Sequence, residues 1–111
     1  MASFDTNGFV QAVLTNASNL AATLFKTYVG HAEADTQAFV QAAKDGVARA
    51  ALLYQQGQID REDFEDLIQG KKDLAEMHAL KQAGLASAAI DTFVNGVIQI
   101  TIDAAFAAIK L

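Results

Sequence analysis

Two histidines and thirteen carboxylates are the side chains of this 111-residue chain that could move a proton or hold a metal. His31, Glu33 and Asp35 lie close enough in sequence to meet on one helical turn. Two or three such ligands in a loop do not make a specified metal site. A di-iron bundle needs Glu-x-x-His pairs facing further glutamates, and no Glu-x-x-His occurs in the chain. His78 falls one turn from Leu74 and is expected near the apolar face of a helix, half-buried with one hydrogen bond. Glu76, two residues away, is expected on another face of that helix. Ser3, Ser18 and Ser87 sit in no Gly-x-Ser-x-Gly elbow, and no glycine-rich phosphate loop is present. Cysteine is absent, which excludes disulfides, thiolate zinc sites and thiol nucleophiles. Glu62, Asp63, Glu65 and Asp66 load the first turns of a helix with negative charge, as the helix dipole prefers. No catalytic, cofactor-binding or metal residue is therefore assigned, and a non-enzyme is expected.

Gly57-Gln58-Ile59-Asp60-Arg61-Glu62-Asp63-Phe64 resembles the second half of an EF-hand loop and its exiting helix. The resemblance covers eight residues. The first three ligand positions would fall on Leu52, Tyr54 and Gln56, two of which offer no carboxylate or amide oxygen. Calcium needs about six to eight oxygens, so calcium binding is not expected. Gly57, Ile59, Glu62 and Phe64 also resemble the short helical SHOCT-type segment, a likeness that transfers no function.

The net charge is −5 and the pI about 4.7, which argues against nucleic acid or an anionic membrane as partner. Lys26, Lys44, Arg49, Arg61, Lys71, Lys72, Lys81 and Lys110 are scattered, with no run longer than two. Met1-Ala2-Ser3-Phe4-Asp5 shows no secretory signal, so location is unassigned and cytoplasmic by default. Without such a signal the Asn16-Ala17-Ser18 sequon reads as chance.

These residues must be positioned by helices. With 52% hydrophobic residues, much alanine and no proline, the composition favours helix. Apolar spacing predicts four segments, about 6–29, 35–56, 60–83 and 86–110. Phe9, Val13, Ala17, Leu20, Leu24 and Tyr28 make the stripe of the first, which Asp5 or Thr6 can cap and Gly30 can end. Phe39, Val40, Ala43, Val47, Ala50, Ala51 and Tyr54 line the second, capped by Asp35 or Thr36. Asp60 can cap the third through the amide of Asp63, and Phe64, Leu67, Ile68, Leu74 and Ala75 form its apolar face. Gly84 is the only break before the fourth, so one long helix from Asp60 onward is the alternative. Ile98–Asp103 alternates like a strand, but a lone strand has nowhere to place its hydrogen bonds, and helix is retained. The fold expected is all-α, a single domain over 1–111, as an antiparallel four-helix bundle that dimerisation could complete.

The terminal helices carry little charge. None lies between Asp5 and Lys26, and only Asp91 and Asp103 interrupt residues 82–109. Such faces suit a subunit interface, whose core is poor in charge, or are simply neutral surface. In the fourth helix Ser87, Asp91, Asn95, Gln99 and Asp103 form a polar row beside an apolar line at Ile98, Ile102, Phe106 and Ile109. A second apolar line, Phe93, Val97 and Ile100, lies well around the axis. A helix apolar on two sides is either joined to another subunit through Ile98, Ile102, Phe106 and Ile109, the reading preferred, or central in its own bundle. Ala38, Ala42, Gly46 and Ala50 repeat every four residues and are expected to let a neighbouring helix approach closely. The function expected is a non-enzymatic, self-associating helical bundle whose partner is a second copy. A membrane-associated protein using the charge-poor helices, or a carrier of small apolar ligands, is the alternative. A membrane is the less expected partner, because Asp91 and Asp103 would cost about 2.5–3.5 kcal/mol each near a bilayer centre.

Overall fold

A computed structural model describes residues 3–110. The order is β1 (Ser3–Phe4), α1 (Thr6–Leu24), α2 (Val29–Gln55), α3 (Arg61–Gln69), a 3-10 turn (Gly70–Leu74), α4 (His78–Gln82), α5 (Ser87–Ala108) and β2 (Ile109–Lys110). The protein is an all-α bundle with its chain running up and down, and α3, the 3-10 turn and α4 together make one of the four columns. Its extents are 45 × 21 × 19 Å.

Asp5 caps α1 by accepting from the amide of Gly8 at 2.9 Å. The helix ends at Leu24, five residues before the expected end, because Phe25 turns inward. Phe25 is buried edge-on against Phe93, with ring centroids 5.3 Å apart. The chain rounds the corner through a bond from the Tyr28 amide to the Phe25 carbonyl. Gly30 consequently lies in the first turn of α2, not at the end of α1. Asp60 and Asp63 form a reciprocal capping box at the start of α3, as their spacing implies.

The third expected helix is broken. After Gln69 the chain tightens into the 3-10 turn, then passes through Met77 with φ 56° and ψ 45° before α4. Phe64 and Ile68 are buried, whereas Leu67 is exposed within α3 and Leu74 is exposed in the 3-10 turn, where the α-helical period has ended. Gly84, at φ 87°, separates α4 from α5, so the two are not continuous. At the other end Asp5 donates its backbone N–H to the carbonyl of Ala108. Phe4 then pairs with Ile109 across the antiparallel β1–β2 ribbon, which ends α5 before residue 110. Ile98–Asp103 is helical.

The core is one cluster in which Phe9, Phe39, Phe64 and Phe93 are the largest fully buried side chains. At Ala38 and Ala42 the four-residue row on α2 is exposed, Gly46 is half-buried and only Ala50 is buried. No helix backbone closes on Gly46. A Cβ there would meet only the end of Lys71, with Nζ at 2.5 Å and Cε at 2.8 Å. Since that flexible end can move, Gly46→Ala is expected to stabilise the protein by about 0.5–1 kcal/mol through helix propensity. A urea titration showing destabilisation would mean that the Lys71 contact is rigid.

Candidate functional site

The apolar line expected at an interface lies inside the chain. Ile98 and Ile102 are 2% and 3% exposed. Phe106 is half-buried in an aromatic cluster, 4.9 Å from the Phe64 ring and 5.6 Å from Tyr54. Arg61 lies over its ring, 4.5 Å from the centroid. Ile109 is half-buried on β2 opposite Phe4. Ile98 and Ile102 are therefore corrected from interface to intramolecular packing, while Phe106 and Ile109 pack on the same chain with part of their surface left exposed. The physical reason is the position of α5, which packs against α1, α2, α3 and α4 and so needs apolar residues over most of its circumference. Ile100, expected in the core, is only half-buried.

The polar row stands where the spacing put it: Ser87, Asp91, Asn95, Gln99 and Asp103 are all exposed, and Gln99 donates to Asp103 at 3.1 Å. Helix α5 is long and apolar enough to cross a membrane by composition alone, but half of that stretch is buried inside the bundle and the outer side carries this row.

α1 and α5 lie side by side and antiparallel, and they meet closely at Gly96, where an added Cβ would collide with a methyl of Leu20. A shallow groove at the Asp5 end of the seam is lined by Asp5, Gly8, Ala12, Ala104, Ala107 and Ala108. Gln11, Thr15, Asn16, Asn19 and Thr23 on α1 and Thr92, Asn95 and Gln99 on α5 are exposed, with Thr15 and Asn19 reaching the groove between α1 and α2. Leu20 and Ile100 are half-buried among them. Asp91 and Asp103 are the only charged residues in either helix.

The residues first considered for chemistry are arranged differently from expectation. His31 is exposed in α2, with its ring tilted at 57° to that of Tyr28 and 6.2 Å between centroids. Asp35 points inward and accepts from the backbone amides of Ala79 and Leu80 at 2.9 and 2.8 Å. His78 is not half-buried: its side chain is 75% exposed. Its Nε2 lies 2.7 Å from Oε2 of Glu76, because the break at Met77 brings the two together where a continuous helix would part them. Both flank a cavity of about 210 Å³ floored by Ala38 and Ala42. A second, open groove of about 370 Å³ lies between α1 and α2, where Ser18 donates to Glu33 at 3.0 Å. Among the described residues no cluster of three metal-ligating side chains occurs, and every buried side-chain polar atom has a hydrogen-bond partner. The buried hydroxyls of Thr36 and Thr101 are satisfied by the carbonyls of Ala32 and Val97 one turn back, both at 2.7 Å.

Compared with protein-family models, curated proteins and solved structures, the chain matches none of them.

Proposed function

We propose that this protein is a non-enzymatic structural or interaction protein that self-associates through the outer face shared by α1 and α5. The observation that carries the reading is the charge asymmetry of the bundle. Apart from Asp91 and Asp103, the charged residues lie outside α1 and α5. Two copies with a net charge of −5 repel one another at most orientations. The α1–α5 face is where that repulsion is least. Its mixture of small residues, amides and half-buried aliphatics resembles the charge-depleted centre of a protein interface. A bundle 45 Å long and 21 Å wide also has room for the ~800 Å² per partner of a stable interface.

The occupant is a second copy of this chain, and the test is its mass in solution. Sedimentation at high micromolar concentration is expected to show a dimer or larger species. Ile100→Glu should shift it to monomer, weakening association by about tenfold or more, with helicity retained and the unfolding midpoint lowered only by the loss of the half-buried side chain's contact with the core. A wild-type chain that stays strictly monomeric would sink the proposal. Binding of the wild-type chain to liposomes without self-association would move the α1–α5 face to the membrane reading.

A further inference from the structure

Between Gln69 and Leu85 the chain is held differently from the rest of the bundle. The 3-10 turn Gly70–Leu74 buries none of its side chains. Met77 then adopts the left-handed backbone region, where Cβ crowds the following carbonyl and few residues other than glycine are found. α4 has five residues, too few to persist as an isolated helix. Met77, its N-cap residue, supplies no side-chain cap.

That role is taken from outside. The Asp35 carboxylate, on α2, reaches across to the amides of Ala79 and Leu80, one oxygen to each. Side-chain packing of this stretch is concentrated in Met77 and Leu80, which are fully buried, while the exit is the Gly84 turn at φ 87°. By contrast α1, α2 and α5 pack on one another through many buried residues each.

We propose that residues 70–82 form a strap, latched to α2 by the single carboxylate of Asp35, that opens as a unit while α1, α2 and α5 remain folded. Opening releases the disfavoured backbone of Met77. It also uncovers Met77 and Leu80, next to the already exposed Ala38 and Ala42 on the floor of the cavity beside Glu76 and His78. The inference concerns the opposite column of the bundle and does not depend on self-association.

Residue-resolved hydrogen exchange on the full chain tests it. In the wild type the Ala79 and Leu80 amides should exchange through an opening that depends only weakly on added denaturant, well before Val13 and Val97. Asp35→Asn leaves one acceptor and turns an NH2 toward a backbone N–H. It should speed exchange at Ala79 and Leu80 by about tenfold or more, while Val13 and Val97 change by less than about twofold. Equal acceleration at all four amides would overturn the strap, as would Ala79 and Leu80 following the same denaturant dependence as Val13 and Val97 in the wild type. If Asp35→Asn does not fold, the wild-type denaturant series decides alone.

Discussion

Ile102→Glu is expected to unfold the chain, not merely to separate subunits. Ile102 is 3% exposed on the inner side of α5. Removing a buried isoleucine costs about 2–5 kcal/mol before any charge is considered. Among the described residues no basic side chain is buried to pair with a carboxylate there. An unpaired buried charge adds several kcal/mol or forces the site to open to water. Against a total stability of about 5–15 kcal/mol for a domain of this kind, the sum leaves little or no folded population at neutral pH. Far-ultraviolet circular dichroism should show most of the helical signal lost. A variant that stayed fully helical while becoming monomeric would return Ile102 to the interface and contradict the packing of α5.

The contrast with Ile100→Glu separates what was legible in the sequence from what was not. Periodicity identifies which residues of α5 are apolar, and it located the polar row from Ser87 to Asp103. It does not say how many neighbours a helix has. Two apolar lines on one helix read equally as core plus interface or as a centrally placed helix, and the choice depends on where α3 and α4 pack. Capping chemistry was local and therefore readable, as at Asp60 with Asp63. The break at Met77 was not, because the carboxylate that caps the helix after it belongs to Asp35, 44 and 45 residues from the amides it holds. The sequence pattern places Asp35 at the N-cap of its own helix, but α2 begins six residues earlier at Val29, and Asp35 caps a different helix. The early end of α1 has the same origin: Phe25 leaves the helix to meet Phe93 from the far end of the chain. The candidate self-association face was readable as a shortage of charge in two segments. Their adjacency was not.

Phe64→Ala should be nearly as damaging as the buried charge, through a different mechanism. Phe64 is fully buried and closes an aromatic cluster, with its ring centroid 5.5 Å from Tyr54 and 4.9 Å from Phe106. Truncating it removes about 3–5 kcal/mol, combining lost transfer energy with the cavity left behind. For a chain of this length that lowers the melting temperature by on the order of 15 °C. Leu67→Ala, three residues on in the same helix, should change stability by less than about 1 kcal/mol, because Leu67 is 44% exposed. Periodicity alone places both residues on one apolar face, so the pair tests the packing of α3 independently of helix propensity. Chemical denaturation with both variants gives the answer. Similar losses at the two positions would mean that α3 is rotated from the orientation described. A large loss at Phe64 alone would fix α3 as the anchor of its column, with Phe64 and Ile68 holding one end while the Asp35 latch holds the other. Arg61 then serves as a cover for Phe106, since its contact with Glu65 is long, at 3.4 Å, and exposed and contributes little.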